Sequence, residues 1–246
     1  AADLPGLLHP VYLDHDKEVK RIVNPKSRQR VGLYGASGAD LSNFLLSTDA
    51  VEAYFVDRAL PRKEELERAL RTLPRLEGPT VGYKSYKRVQ GYAISGYRME
   101  DIEAKIVQEL ESLGVDLESV RLSDTDETTV LEFEWTYPGL QKKEYRITYI
   151  KAYLNLPDRY PTALRDALAA GIDFYYQRAP WDLPHFYPQF LGRIAASVRP
   201  GGAMIVDNTF YRNEKFGSAA PDPILLPQFS KVRSKRLSAA VERILA

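Results

Sequence analysis

The sequence of 246 residues contains no cysteine, which excludes disulfide bonds and thiolate metal sites. Histidine is scarce as well. The three present, His9, His15 and His185, are too far apart for a metal-binding pair on one helix, although His9 and His15 could share a loop. No apolar run approaches the roughly 18 residues that a membrane-spanning helix needs. We therefore predict no metal site and no membrane partner.

A large excess of charge of either sign is also missing. The net charge of +1 argues neither for nor against a polyanionic partner, so a nucleic acid remains open as one. Hydrophobic residues make up 44% and charged residues 27%, which are ordinary proportions for a globular chain with one sizeable core. The chain begins at Ala1 without a methionine, so we expect that it has been processed or trimmed. We take a cytoplasmic location as the default, and secretion after removal of a signal peptide remains open.

The clearest pattern in the chain extends over residues 31–57. A short apolar run is followed by a turn of small residues at 35–39 (Gly-Ala-Ser-Gly-Ala), then by a helix-like segment at 40–47. A second apolar run ends at Asp57. Strand, tight turn, helix, strand and acid are the start of a nucleotide-binding α/β sheet. Small residues let a ligand approach the backbone and the helix N-terminus, and the acid accepts hydrogen bonds from ribose hydroxyls.

The remaining sequence continues the α/β rhythm on both sides of an interruption at 74–145. Periodicity predicts helices over 62–73, 99–113, 162–170 and 185–198, with Gly114 and Gly171 as stops. It predicts strands over 129–135, 143–151, 172–176 and 203–206, the first two forming a hairpin or lying side by side. Asp173, in the third of these strands, is interpreted as a structural residue.

Residues 74–145 are predicted to be an α+β insertion within a single domain, packed over the carboxyl edge of the sheet. Inside it, residues 81–98 contain four tyrosines, four cations and no acid. This composition suits an anionic or aromatic substrate, although a solvated loop with structural tyrosines has the same composition. The candidate substrate-binding residues are Tyr83, Lys84, Lys87 and Arg88 in this stretch, and Arg178 in the turn at 177–180.

The order of these pieces resembles the class I S-adenosylmethionine-dependent methyltransferases, which have a doubly wound, Rossmann-like α/β sheet. The turn at 35–39 is similar to the family's glycine-rich loop, and Asp57 is similar to the acid that binds the cofactor ribose. Residues 152–157 (Ala-Tyr-Leu-Asn-Leu-Pro) are similar to the loop that contacts the adenine. Helix 185–198, followed by Arg-Pro-Gly-Gly and a strand, is similar to the unit around the family's fifth strand.

The sequence departs from the family pattern at several positions. Leu33 lies where the family usually has an acid, and Ser37 and Ala39 replace two of the usual three glycines. Tyr153 replaces the acid of the adenine loop, where it could stack on the adenine or fill the pocket instead. The turn Gln177-Arg-Ala-Pro180 matches no Asn-Pro-Pro-Tyr motif of nucleobase-amino methylation.

The resemblance implies S-adenosylmethionine as the cofactor and methyl transfer to a small molecule or another acceptor that the sequence does not identify. The implied cofactor-binding residues are Leu33, Gly35, Ala36, Ser37, Asp57 and Tyr153. Two alternatives stay open. Loss of two acids also suits a non-catalytic, methyltransferase-like binding or scaffold protein, and Gly-Ala-Ser-Gly after a strand also occurs in NAD(P)-binding reductases. No catalytic residue is identified from the sequence.

Overall fold

The computed structural model describes residues 27, 30–35, 41, 44–45, 48–72, 102–137, 140–154, 156–177, 187–206, 209–213 and 229–231. In these residues nine strands form one mixed sheet. The strands are β1 (Val31–Gly35), β2 (Glu52–Asp57), β3 (Arg121–Asp124), β4 (Thr128–Trp135), β5 (Lys143–Lys151), β6 (Ile172–Gln177), β7 (Val198–Val206), β8 (Thr209–Asn213) and β9 (Phe229–Lys231).

The sheet has the order β3-β4-β5-β2-β1-β6-β7-β8-β9. Its inner five strands, β5, β2, β1, β6 and β7, are parallel. The strands on either side, β4 with β3 and β8 with β9, pair in antiparallel fashion. The parallel part has the order of a doubly wound sheet, so the fold is Rossmann-like α/β.

Four described helices accompany the sheet: α1 (Lys63–Thr72), α2 (Ile102–Ser112), α3 (Thr162–Ala170) and α4 (Tyr187–Ser197). Short 3-10 turns occur at Leu117–Ser119 and Pro157–Arg159. A further helix follows β1, within the segment 40–47 for which the sequence predicts one. Its described residues Leu41, Phe44 and Leu45 are all buried, and we call it the Leu41 helix. No helix in the described part of the chain is both long and apolar enough to cross a membrane.

One face of the sheet packs against α1, α2 and the Leu41 helix through a largely aromatic layer. Tyr34 stacks on Phe55 with a centroid distance of 4.8 Å, and Phe133 stacks on Tyr145 at 5.7 Å. Such pairs add about 0.5–1.5 kcal/mol each beyond the burial of their area. The chain has 16 tyrosines, and several of them belong to this core. The aromatic layer comprises Tyr34, Phe44, Phe55, Phe133, Trp135, Tyr145, Tyr149, Phe174 and Tyr176.

The opposite face of the parallel strands packs on α3 and α4 and is more aliphatic. Side chains alternate between the two faces along each strand, so that Leu33 and Val56 face this second core while Tyr34 and Phe55 face the first. Burial on both faces is the usual state of a parallel sheet flanked by helices. The second core includes Val31, Leu33, Val56, Ile150, Leu164, Ile172, Tyr175, Ile194 and Met204.

Two glycines end their helices as the sequence predicts. Gly114 has a φ of 77°, and its N–H donates to the Glu111 carbonyl at 3.0 Å. Gly171 has a φ of 92° and donates to the Leu168 carbonyl at 3.2 Å. Both backbones lie in the left-handed region, which a residue without a β-carbon adopts at little cost.

The described residues of the 74–145 segment differ from our prediction in their placement. Strands β3 and β4 extend the sheet sideways beyond β5, and α2 packs mainly on one face, from which two of its carboxylates reach the segments that follow β1 and β2. The expected boundary at residue 145 also falls inside β5, which pairs with β4 over residues 143–150. The apolar side chains on one face of β4 and on α2 belong to the common core, so this segment is built into the domain. Residues 73–101 lie outside the described part.

Two carboxylates of α2 also connect the 74–145 segment to the rest of the domain. Glu103 Oε1 accepts a hydrogen bond from the Arg62 N–H at 2.8 Å, just before α1 begins. Glu109 Oε2 accepts one from the Leu41 N–H at 3.2 Å, in the Leu41 helix. Free N–H groups at the start of a helix favour a nearby negative charge, so each carboxylate stabilises a helix from the first half of the chain.

Strand β7 begins at Val198, five residues before the strand predicted at 203–206. The Arg-Pro-Gly-Gly sequence is part of this strand, and the register against β6 shifts there. Gly201 has a φ of 82°. A β-carbon at Gly202 would lie 2.5 Å from the Asp173 carbonyl oxygen and 2.9 Å from that of Arg199. The glycines therefore allow a β-bulge with close backbone contact, a structure that the sequence pattern presents as a turn.

Candidate functional site

The carboxyl ends of three neighbouring parallel strands bring the predicted cofactor residues to one edge of the sheet. Gly35 ends β1, Asp57 ends β2, and Lys151, which pairs with Asp57, ends β5. Tyr153 follows β5 by two residues. Ligands of doubly wound sheets bind at this edge, because the loops and helix N-termini that follow the strands converge there.

Asp57 is partly buried and accepts a hydrogen bond at its Oδ1 from the N–H of Arg58 at 2.6 Å. Its backbone carbonyl accepts a second bond, from the Ala152 N–H at 2.9 Å. The first contact fixes the direction of the carboxylate, and the second ties the loop after β5 to the end of β2. The relative positions of Asp57 and the loop are therefore set by hydrogen bonds at the backbone.

Tyr153 is 56% exposed, and its carbonyl accepts a bond from the Leu156 N–H at 3.0 Å, which closes a turn. A ring with this exposure does not fill a closed pocket. The ring is accessible to solvent, and its stacking on an adenine stays a prediction.

Tyr160 attaches the loop after β5 to the second core. Its hydroxyl donates to the Leu154 carbonyl at 2.6 Å, and the residue is 4% exposed. Burial raises the pKa of the Tyr160 hydroxyl, and the nearby Arg193 guanidinium opposes that shift. Arg193 in turn donates to the Asp158 carboxylate at 2.9 Å, which ties α4 to the turn at 157–159. The loop after β5 is thus attached to two neighbouring elements.

The space beside Gly35 is filled by the chain itself. A β-carbon at this position would lie 2.6 Å from Leu154 Cδ1 and 3.0 Å from the Tyr175 hydroxyl oxygen. Gly35 does not have a positive φ, so its lack of a side chain serves close packing and not a special backbone conformation. We expected a ligand to lie close to Gly35. In the structure the Leu154 and Tyr175 side chains lie there instead.

The other predicted residues divide into two groups. Leu33 is fully buried in the second core among aliphatic side chains, so its side chain does not reach the surface of the site. Seven predicted residues lie outside the described part of the chain, and their predictions stand as made. These are Ala36 and Ser37 of the turn, and Tyr83, Lys84, Lys87, Arg88 and Arg178 of the candidate substrate site.

The amino edge of the sheet contains a second acid in a very different environment. Asp173 is completely buried, and its Oδ2 accepts bonds from the Val31 N–H at 2.8 Å and from Arg199 Nη1 at 3.1 Å. Arg199 Nη2 also donates to the Ala170 carbonyl, at the end of α3, at 3.0 Å. These bonds join β1, α3, β6 and β7. Asp173 is therefore a structural residue, as the sequence predicts.

Several residues that shape the site were missed from the sequence. Glu109 lies next to the apolar stripe of α2. This position in the helical pattern is the sequence feature that could have indicated an inward-facing carboxylate. Leu154, Tyr160 and Tyr175 carry no such sign, since their contacts with the loop and with Gly35 depend on the tertiary fold. In the described residues no group of three or more acidic or histidine side chains could ligate a metal ion.

No protein-family model matches this chain, and no curated protein and no solved structure matches it either. Its function therefore has to be inferred from its own residues.

Proposed function

We propose that the chain binds S-adenosylmethionine at the carboxyl edge of the sheet and catalyses methyl transfer to an acceptor. The observation that carries this proposal is the placement of Asp57 and Tyr153. An oriented carboxylate and an exposed aromatic ring lie at the ends of adjacent parallel strands, where a doubly wound sheet binds the ribose and base of an adenosine.

The residues present fit an adenosine in their chemistry. Asp57 Oδ1 already accepts the Arg58 N–H, while Oδ2 makes no hydrogen bond with a described residue. A carboxylate has about four lone-pair sites, so it can accept two ribose hydroxyls in addition. Each charge-assisted bond is worth on the order of 1.5–3 kcal/mol. The exposed Tyr153 ring would stack on the adenine.

When bound, S-adenosylmethionine would supply an electrophilic methyl group for transfer from its sulfonium sulfur to an acceptor, with S-adenosylhomocysteine as the leaving group. The residues of this chain contribute binding and orientation. Asp57 fixes the ribose, Tyr153 fixes the base, and the loop tied to Asp57 and Tyr160 keeps the two in register. Positioning of this kind is the main protein contribution to a displacement that needs no covalent intermediate.

Two observations favour this proposal over an NAD(P)-binding reductase. The dinucleotide-binding sheet continues with a parallel sixth strand, whereas β8 pairs with β7 in antiparallel fashion. A dinucleotide also places its pyrophosphate at the start of the first helix. There the Glu109 carboxylate already accepts the Leu41 N–H, and its negative charge opposes a phosphate.

One observation favours the second candidate, a non-catalytic binding or scaffold protein. Leu154 and the Tyr175 hydroxyl occupy the space beside Gly35, in the region of the family's glycine-rich loop. Together with the burial of Leu33, this packing leaves fewer groups for the methionine part of the cofactor. The enzyme proposal therefore predicts weakened binding, and the scaffold candidate predicts none.

Calorimetric titration with S-adenosylmethionine and S-adenosylhomocysteine tests the proposal. Loss of one or two polar contacts relative to the family pattern costs about 2–4 kcal/mol, a factor of about 30–1000 in affinity. We expect dissociation constants of roughly tens to hundreds of micromolar. Tyr153→Phe, which keeps the stacking ring, should leave binding nearly unchanged. Tyr153→Asp exchanges the ring for the acid that the family has at this position, and it should tighten binding because a charge-assisted hydrogen bond, on the order of 1.5–3 kcal/mol, exceeds an aromatic contact of about 0.5–1.5 kcal/mol. If neither ligand binds at millimolar concentration and Tyr153→Asp restores nothing, the scaffold function replaces the enzyme.

A titration with NADH and ADP separates the proposal from the reductase. Both carry phosphates that Glu109 opposes, so we expect each to bind more weakly than S-adenosylhomocysteine. Tighter binding of NADH would favour the reductase and contradict the argument from Glu109.

A further inference from the structure

We propose that Tyr160 is a positioning residue for the cofactor, acting through the loop that carries Tyr153. This inference rests on the proposed function, because it names a residue that serves the same site without touching the ligand. Three linked contacts support it, from Tyr160 to Leu154, from Leu154 to Gly35, and from the loop to Asp57.

The first contact is the hydrogen bond from the Tyr160 hydroxyl to the Leu154 carbonyl at 2.6 Å. Tyr160 directly follows the 3-10 turn at Pro157–Arg159, and its ring is buried in the second core. A buried ring whose hydroxyl reaches back six residues fixes the distance between the core and the loop. Since burial raises the pKa of Tyr160, the hydroxyl keeps its proton and remains a donor well above neutral pH.

The second contact connects Leu154 to the strand end. The Leu154 side chain packs so closely on Gly35 that a single added β-carbon would meet its Cδ1 at 2.6 Å. The position of the Leu154 backbone therefore decides how the loop lies against the end of β1. Tyr160 donates to the carbonyl of that same residue, so its hydroxyl holds the backbone from which the Leu154 side chain packs on Gly35.

The third contact closes the arrangement at the other end of the loop. Ala152 donates to the Asp57 carbonyl at 2.9 Å, and Tyr153 lies between this attachment and Leu154. The exposed ring of Tyr153 thus extends from a segment that is attached at both ends. One attachment is to Asp57, through Ala152, and the other is to the core, through Leu154 and Tyr160. Removing one attachment frees the ring while leaving Asp57 in place.

The test replaces Tyr160 by phenylalanine, which keeps the ring in the core and removes only the hydroxyl. Tyr54→Phe is the matched control, because the Tyr54 hydroxyl also donates a hydrogen bond, to Glu52 at 3.0 Å, on the same face but toward the amino edge. In calorimetry we expect the dissociation constant for S-adenosylhomocysteine to rise about tenfold in Tyr160→Phe, as for the loss of one hydrogen bond. The control should remain within twofold of the wild type.

Hydrogen exchange provides a readout that needs no ligand. The Leu156 N–H, bonded to the Tyr153 carbonyl, should exchange faster in Tyr160→Phe, while the amides of β1 and β2 keep their protection. A purely structural role would instead raise exchange in the strands as well. If the wild type binds no cofactor, the proposed function fails, and selective exchange at Leu156 still supports Tyr160 as the residue that positions the loop. Unchanged exchange at Leu156, or faster exchange with unchanged affinity, would overturn the inference.

Discussion

The two edges of the parallel sheet each contain an aspartate, and the two side chains are used in opposite ways. At the amino edge, Asp173 is fully buried, pairs with Arg199 and accepts the Val31 N–H. At the carboxyl edge, Asp57 is partly exposed, and within the described part of the chain its carboxylate accepts one hydrogen bond, from the N–H of its neighbour Arg58. The first carboxylate has protein partners from two other strands, and the second keeps acceptor capacity for a ligand.

This difference follows from the direction of the strands. All parallel strands start at one edge, so their first residues lie side by side there, and a buried polar cluster can join them. Their last residues lead into the loops that form ligand sites. The same residue type can therefore be structural at one edge and functional at the other.

The largest effect should come from the amino edge. Asp173→Asn removes the charge that Arg199 pairs with, and breaking a buried ion pair on one side costs about 3–5 kcal/mol. Because Arg199 is about one-third exposed, we expect a value near the lower end, about 3 kcal/mol, measured by urea denaturation. Asp158→Asn is the control; that acid also pairs with an arginine but is 90% exposed, so its loss should cost less than about 1 kcal/mol. Equal losses for both variants would contradict the structural role of Asp173.

A smaller contrast is expected between two glycines. In Gly202→Ala the new β-carbon would meet two backbone oxygens, which cannot move without disturbing the bulge. In Gly35→Ala it would meet a leucine side chain and a tyrosine hydroxyl, which can shift. Overpacking typically costs about 1–3 kcal/mol, and we expect Gly202→Ala at the upper end and Gly35→Ala at the lower. Thermal unfolding of both variants measures the difference.

A double variant tests the contact at Gly35 more directly, by adding Leu154→Ala to Gly35→Ala. Leu154→Ala should recover stability in the Gly35→Ala background, since it removes the atom that the new β-carbon would contact. If Leu154→Ala destabilises both backgrounds equally, Leu154 does not fill the space beside Gly35.

Much of the architecture could be predicted because it depends on local pattern. The βαβ start at 31–57, the helix over 162–170 and the glycine stops all follow from periodicity and backbone preference. What could not be predicted depends on pairing across long distances. Strand β3 is short and mostly exposed, and nothing in its sequence shows that it extends the sheet beside β4.

The site shows the same division. Positions at strand ends, such as Gly35 and Asp57, follow from the local pattern. Their surroundings do not, because the residues that contact them come from other elements. Leu154 and Tyr175 approach Gly35 from loops and strands more than 100 residues away in the chain, and Glu109 reaches the Leu41 helix from α2. The placement of α2 within the core was missed for the same reason.

The smallest predicted effect is on the free energy of unfolding at alkaline pH, and it concerns Tyr54, near the amino edge of the sheet. Burial, with the Glu52 charge adding to it, raises the pKa of Tyr54 to about 12 from an ordinary value near 10. A raised pKa in the folded state means that this contribution to stability is present below pH 10 and is lost as the pH rises toward 12. Tyr54→Phe should therefore flatten the fall of the unfolding free energy between pH 9 and about 11.5. An equally steep fall in the variant would assign the slope to other groups.

The central claim is that the carboxyl-edge acid binds the cofactor while the amino edge maintains the fold. Its most direct test is calorimetric titration of S-adenosylhomocysteine into the wild type, Asp57→Asn and Glu52→Gln, the last of which changes an acid at the opposite end of the same strand. We predict that Asp57→Asn weakens binding at least about 30-fold, as expected for loss of charge-assisted hydrogen bonds, with unfolding free energy changed by less than about 1 kcal/mol. Glu52→Gln should bind within about twofold of the wild type. Equal affinity of Asp57→Asn and the wild type, or no heat from the wild type at millimolar ligand, would contradict the claim.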